Sequence, residues 1–353
     1  MNPTTPTLEW VDEHLRIIDQ TRLPAELAVI DVTTETEAVD AISRLAVRGA
    51  PALGAFGGYA IIVGLDEQPP PDLPAARDRL EQLRRSIGDA RPTAVNLRWA
   101  VDRVIDAGLE SGAVSVADMR RVMLAEAHAV MREDQQACAS IGEHGAGLLD
   151  DMTVVGTHCN AGRLATAGIG SALGPIYTKA SRGEALRVIA SETRPLLQGA
   201  RLTAWELSDA GIDVAVVPDG AMASLILSNQ LDAFIVGADR IAANGDVANK
   251  VGTLSHALAC REAAVPFFVA APTSTIDLSL PSGKGVVIEQ RPPDEIHNVG
   301  TTRITPPAVS TLNPAFDVTP HRFVTAIITE VGVLRPPYER SIAAAVDHRR
   351  RPA

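Results

Sequence analysis

From residue 152 onward the chain returns repeatedly to short apolar runs rich in β-branched residues: MTVVGTH (152–158), LRVIASE (186–192), DVAVVPD (213–219), AFIVGAD (233–239), PFFVAAP (266–272) and GVVIEQR (285–291). Helix-length segments such as RPLLQGARLTAWELSDAG and NKVGTLSHALACREAAV separate most of them. Strands apolar along their whole length need cover on both faces, and strands joined through helices run parallel. The pattern predicts an α/β chain whose residues 146–353 form a Rossmann-like domain, with the tail DHRRRPA frayed.

The preceding segment differs. HLRIID (14–19) and LAVIDV (27–32), joined by TRLPAE, read as an antiparallel hairpin. A helix follows over residues 35–45. AVRGAPALGAFGGYAIIVGL reads as a tight turn feeding a buried helix, and residues 75–148 are helical with one break at SIGDARPTAVN. Residues 1–145 are therefore expected to form a mainly helical N-terminal domain with a small antiparallel sheet. A length of 353 residues exceeds what one core usually serves.

The formal net charge of −11 argues against sequence-independent binding to nucleic acid or to an anionic membrane surface. Cys138, Cys159 and Cys260 form an odd, sparse set without a C-x-x-C pair, unlike a disulfide framework or a zinc site. The start lacks the basic and apolar regions of a signal peptide, and no apolar run approaches the ~18 residues of a membrane span. The expectation is a soluble cytoplasmic protein. AGIGSALG gives G-x-G-x-x-x-G within a presumed helix, which is not a dinucleotide fingerprint, and PSGKGV is not a P-loop. Clusters with metal-ligand spacing are missing.

In an open parallel sheet, ligands bind outside the carboxyl ends of the strands. Polar residues gather there: His158, Cys159 and Asn160 after the first run; Glu192, Thr193 and Arg194 after the second; Asp219 after the third; Asp239 and Arg240 after the fourth; Pro272, Thr273 and Ser274 after the fifth. CNAG is read as opening the next helix, whose N-terminus would stabilise a Cys159 thiolate. The competing reading is a small buried hydrophobe, the one taken for Cys138 and Cys260. Neighbours on a strand face opposite ways, so His158 is read as structural. Asp239 closes an apolar run. Such walls disfavour its charged form and suit it to act as an acid; equally, it could cap a helix. Asp219 in PDGAMA is read as a cap. Arg48 in VRGAPA, with the backbone N–H groups of Gly49 and Ala50, could hold a phosphate. So could Arg91 in ARPTAVN, and Lys250 beside Asn249 at a presumed helix start. Each alone is more often a solvated surface charge.

RGAPALG, SIGDARPTAVNL, THCNAGRLAT, ETRPLLQGARLTAWEL, VGADRIAANGDVANKVGT, VAAPTSTID and TLNPAFDVTP occur in this order. Together they resemble the methylthioribose-1-phosphate isomerase family, within a superfamily shared with the regulatory subunits of eukaryotic initiation factor 2B. The resemblance implies a two-domain homodimer acting on a small-molecule sugar phosphate in methionine salvage, without a cofactor. It assigns Cys159 and Asp239 as the catalytic pair. It assigns substrate contacts to Arg48, Gly49, Ala50, Arg91, Gln198, Asn249 and Lys250. The departures are Arg163, where the family often has a small residue, and a proline-rich loop near residue 70.

The substrate implied is 5-methylthioribose 1-phosphate, whose anomeric phosphate blocks free ring opening. Asp239 would donate to the ring oxygen. Cys159 would assist hydrogen transfer from C2 to C1, either by taking the C2 proton or by stabilising charge during a hydride shift. Both routes prefer a dry pocket. The alternatives are ribose 1,5-bisphosphate, which needs extra cations, 5-deoxyribose 1-phosphate, which a methylthio slot also accepts, and a non-catalytic initiation factor 2B-like subunit, which needs neither acid nor thiol. A nucleotide-dependent dehydrogenase rests on fold pattern alone.

Overall fold

The structure, a computed structural model, describes residues 5–91 and 94–350, with the side chains of residues 348–350 set aside. Pro92 and Thr93 of ARPTAVN and the last three residues of the tail lie outside the described residues. The chain packs as two compact units. One runs up to Cys138 and includes Gly162–Gly170; the other holds Ala139–Ala161 and everything from Ser171 onward.

The first unit opens with β1 (Leu8–Val11), β2 (His14–Ile18) and β3 (Val29–Val32), an antiparallel sheet in that order. Leu15 and Ile17 of β2 alternate with solvent-facing residues and join Leu8 and Val32 in the core. Then come α1 (Glu35–Ser43), α2 (Ala50–Glu67), α3 (Leu73–Gly88), α4 (Val95–Glu110) and α5 (Val116–Ala146). Thr34 and Glu37 close a capping box that starts α1. Every residue from Ala52 to Leu65 of α2 is buried, and its glycines let neighbours close in: a Cβ on Gly57 would lie 2.6 Å from Leu97 Cδ1.

The second unit continues with β4 (Val154–Thr157), α6 (Gly174–Ser181), β5 (Arg187–Ser191), α7 (Ala204–Asp209), β6 (Asp213–Val217), α8 (Asp219–Leu227), β7 (Ala233–Val236), β8 (Arg240–Ala242), β9 (Val247–Lys250), α9 (Thr253–Ala263) and β10 (Phe267–Ala270). It closes with β11 (Ile276–Asp277), α10 (Asp294–His297), β12 (Asn298–Val299), β13 (Thr302–Arg303), β14 (Phe316–Thr319), β15 (Ala326–Thr329), β16 (Gly332–Leu334) and α11 (Tyr338–Arg350). The main sheet has the order β16-β15-β10-β7-β4-β5-β6 and is parallel except for β16 at its edge. Period-two alternation divides its side chains between two cores. Phe234, Val236, Phe267, Val269 and Ile327 pack on one face with α8, α9 and α11. Ala233, Ile235, Phe268, Ala270 and Ile328 pack on the other with α6 and α7. The chain lays β4, β5 and β6 outward, then returns to place β7 on the other flank of β4. The switch point of the sheet therefore lies between β4 and β7.

Three expectations are corrected here, and one sheet is added. GVVIEQR is not a strand: the place beside β10 is taken by AIIT of β15, entirely buried, while Val287 stays 88% exposed. AGIGSALG precedes a helix instead of lying inside one, because α6 begins at Gly174. A second sheet, β11-β8-β9-β14, was not anticipated. The tail does not fray at Asp347, since α11 continues to Arg350.

Asp246 ties this second sheet together. Burial alone would raise its pKa. Bonds from the His321 N–H, the Asn244 amide, the His321 ring and the Gly283 N–H outweigh that and hold it at about 2. A carboxylate depressed from 3.8 stabilises the fold above its unfolded pKa and loses that contribution as pH falls through its folded one. The Asp246→Asn protein is expected to be less stable near neutrality by about 2 kcal/mol, with the gap to the parent closing between about pH 4 and 2. Denaturant midpoints across an acid series check this.

Candidate active site

Cys159 lies two residues beyond Thr157, where the β4 ladder ends. It does not open a helix. Its backbone is left-handed, with φ +63, and a loop with one 3-10 turn at Arg163–Ala165 leads to α6. The helix-terminus argument for its thiolate therefore falls. The left-handed conformation costs a residue bearing a side chain about 1–2 kcal/mol. Two hydroxyls hold it: Thr193 Oγ1 accepts the Cys159 N–H at 2.9 Å, and Thr203 Oγ1 donates to the Cys159 carbonyl at 2.6 Å. Thr193 is itself left-handed, with φ +66, an outlier for a β-branched residue. Asp219 holds that turn by accepting the N–H groups of Thr193 at 2.8 Å and Arg194 at 2.7 Å. So Asp219, the first residue of α8, does not cap its own helix; it ties down the loop after β5.

On the other side, Asn160 Nδ2 donates to Thr203 Oγ1 at 3.2 Å and to the fully buried Glu206, which also accepts from Tyr177 at 2.8 Å. Thr203 closes a π-helical turn, Gly199–Thr203, a widened geometry frequent at functional sites. Gln198 stands at the head of that turn, and its buried Oε1 has no hydrogen-bond partner among the described residues.

His158 is buried and braced as a structural histidine. The Val251 carbonyl, at 2.9 Å, can only accept, so Nε2 carries the proton. Nδ1 then accepts from the Ser191 hydroxyl at 2.5 Å and faces His256 Nε2 at 3.3 Å. Burial pushes His158 down to about 4 and His256 to about 3, so both rings are neutral at ordinary pH. His158, Asp219 and His256 each offer one atom of metal-ligating type, all within 4.8 Å of one another. Those atoms are already engaged by Ser191, by each other and by the N–H groups that Asp219 accepts.

Asp239 follows β7 by three residues and enters β8, donating its N–H to the Ala248 carbonyl at 3.0 Å. It is not a helix cap. Nor is it walled in: the residue is exposed, because the apolar run ends at Val236 and Gly237 is the last buried position before it. The register pairs Arg240 with Ala248, so Asp239 stands just before β8 and Asn249 just past that pair on β9. Thr157 pairs with Ile235, so β4 and β7 end side by side, about 4.8 Å apart. Their following loops touch as well: a Cβ on Gly237 would lie 2.8 Å from Ala161 Cβ. Cys159 and Asp239 thus leave neighbouring strands at the switch point.

Asn249 and Lys250 end β9 and do not start a helix; α9 begins three residues later. Asn249 Nδ2 donates to Thr253 at 3.1 Å. Lys250 Nζ donates to the Ala315 carbonyl at 2.9 Å and stands 5.0 Å from the centre of the Phe316 ring. In the first unit, Arg48 and Gly49 precede α2, and Ala50 is its first residue. Gly49 has φ +92, and a Cβ there would meet the Ala165 carbonyl at 2.3 Å, so no other residue fits. Arg91 stands before α4, its carbonyl accepting the Ala94 N–H at 2.9 Å.

Sequence reasoning placed Thr193 and Asp219 at the strand ends without seeing their role, and passed over Thr203, Glu206 and His256. The signal available was three polar residues, Thr203, Glu206 and His256, inside otherwise helical apolar patterns.

A Cβ at position 199 would fall 1.8 Å from the Ser191 carbonyl oxygen, backbone against backbone. Gly199→Ala is expected to lower stability by about 3 kcal/mol, read from the denaturant midpoint, with the slope unchanged.

The profile of the Initiation factor 2 subunit family matches residues 46–336. The chain is 49% identical to a 5-deoxyribose 1-phosphate isomerase from Moorella thermoacetica, over 97% of each chain. It is 46% identical to a methylthioribose-1-phosphate isomerase from Desulforamulus reducens, over 95% of this chain and 96% of that one. Among solved structures, the 5-methylthioribose 1-phosphate isomerase from Pyrococcus horikoshii OT3 superposes with a TM-score of 0.92 at 39% identity, covering 98% of this chain and 96% of that one. A structure described as translation initiation factor eIF-2B, subunit delta, from A. fulgidus superposes with a TM-score of 0.89 at 42% identity, covering 98% and 100%. Matched along most of its length, the chain belongs to the Initiation factor 2 subunit family.

Proposed function

We propose that the chain is an aldose–ketose isomerase that converts 5-methylthioribose 1-phosphate to 5-methylthioribulose 1-phosphate, a step of methionine salvage. The observation that supports the reading is that Cys159 and Asp239 follow neighbouring strands at the switch point, on loops that approach each other at Ala161 and Gly237. The named isomerases among its relatives supply the substrate. A second substrate, 5-deoxyribose 1-phosphate, is favoured by the name of the Moorella relative. A regulatory subunit would have no use for an acid and a thiol held in this way.

In this mechanism Asp239 donates a proton to the ring oxygen as the C1–O4 bond breaks. Cys159 as thiolate takes the proton from C2, giving an enol phosphate with its double bond between C1 and C2. Reprotonation at C1 and loss of the C2 hydroxyl proton leave the ketone at C2 and the phosphate on C1, with no net change in composition. In the hydride variant, the C2 hydrogen moves directly to C1 and Cys159 stabilises charge. Gln198 suits a substrate hydroxyl, because its unpaired buried oxygen costs about 1–3 kcal/mol until a donor arrives. Asn249, which follows the Ala248 whose carbonyl accepts the Asp239 N–H, and Lys250 are assigned to the sugar phosphate. So are Arg48, Arg91 and the N–H groups at Gly49 and Ala50, since the first turn of a helix leaves such groups without intrahelical partners. The reading carries a homodimer and a cytoplasmic location; among the described residues no helix is long and apolar enough to cross a membrane.

Purified protein should turn over 5-methylthioribose 1-phosphate or 5-deoxyribose 1-phosphate and leave ribose 1,5-bisphosphate largely untouched. No turnover of any of the three removes the reading. Cys159→Ser and Asp239→Asn should keep the parent melting temperature while kcat falls by about 10²–10⁴; a variant retaining a tenth of parental turnover has lost its assigned role. Product formed in D₂O separates the routes: solvent deuterium at C1 marks proton transfer, and its complete absence marks the hydride shift.

A further inference from the structure

We propose that Thr193 and Thr203 are positioning residues for Cys159, their hydroxyls holding the thiol-bearing residue in a left-handed backbone that it would otherwise leave. The inference rests on the reading of Cys159 as the reacting thiol.

The β4 ladder stops at Thr157, so neither peptide group of Cys159 has a strand partner. Thr193 Oγ1 takes the N–H, and Thr203 Oγ1 caps the carbonyl. Each hydroxyl has a further bond that orients it. The single hydrogen of Thr193 is directed to the Ser191 carbonyl at 3.0 Å, which turns a lone pair to the Cys159 N–H. Thr203 spends its hydrogen on the Cys159 carbonyl and accepts from Asn160. Both are anchored from behind. Asp219 fixes the turn at Thr193, and Glu206, on the turn after Thr203, holds Asn160. The direction of the Cα–Cβ bond follows φ and ψ. A residue relaxed to the extended form aims its sulfur elsewhere, and small misplacements of a reacting group are costly. Two threonines far from Cys159 in sequence thus set where its thiol points.

Thr193→Val and Thr203→Val remove the hydroxyls at nearly constant shape, while Thr193→Ser and Thr203→Ser keep them. Two readouts are taken on the full chain. The first is turnover: the valine variants should lose about 10–100-fold in kcat, with KM within about twofold, and the serine variants should recover most of the loss. The second needs no substrate: alkylation of Cys159 by iodoacetamide across a pH series, followed residue by residue by mass spectrometry. Its rate should change several-fold in the valine variants and return in the serine ones, with buried Cys138 and Cys260 unlabelled as a check on folding. Parental kcat in both valine variants overturns the inference, as does equal loss in valine and serine variants. If the parent turns over no sugar phosphate, the isomerase reading falls by itself; alkylation then decides, and unchanged rates at Cys159 in both valine variants overturn the positioning role. Should Thr193→Val not fold, Thr203→Val reads the same residue from its other side.

Discussion

The site depends on a parallel sheet that is buried on both faces. Once Phe234 and Val236 pack one way and Ala233 and Ile235 the other, neither face of the central strands can meet a ligand. Only the carboxyl edge is left, and the reversal of strand order between β4 and β7 opens it at one place. Everything chemical then rests on short segments that step off that edge. Such segments are out of the ladder, and their backbone groups need other partners. The threonine hydroxyls at Cys159, the Asp219 carboxylate at Thr193 and the Ala248 carbonyl at Asp239 are three answers to that one requirement.

The central strands were legible because burial on both faces leaves a plain mark: AFIV and FFVA hold no polar residue. The same rule misled at GVVIEQR, whose Val286, Val287 and Ile288 suit a strand but whose Gln290 makes an isolated bridge to Pro314 instead, since AIIT already fills the seat beside β10. A local run records propensity, not occupancy. The small sheet containing β8, β9 and β14 escaped notice for the opposite reason. Its strands are short and carry Arg240, Asn249 and Asp317, so neither alternation nor apolar continuity marks them.

At the site, the thiol and the acid could be placed at the edge by counting from the ends of apolar runs. The backbone of Cys159 could not be foreseen. Its φ is imposed by partners 34 and 44 positions away, and nothing within HCNAG encodes them. The same limit explains Asp239. Whether a carboxyl after an apolar strand caps a helix or enters a second sheet depends on where β9 returns, which is a tertiary fact.

The ring of His158 joins three strand ends, since one nitrogen grips the Val251 carbonyl past β9 while the other faces Ser191 at the end of β5, and the residue itself abuts Cys159. With both nitrogens spent, the imidazole acts as a rigid strut and not as a pivot. A displacement at the tip of β9 would be handed on to the neighbour of the thiol without slack. Under the proposed assignment, in which Asn249 and Lys250 contact the substrate and Cys159 reacts, a change in how tightly the tip of β9 holds its ligand would also retune the aim of the sulfur, and affinity and chemistry would be mechanically geared together.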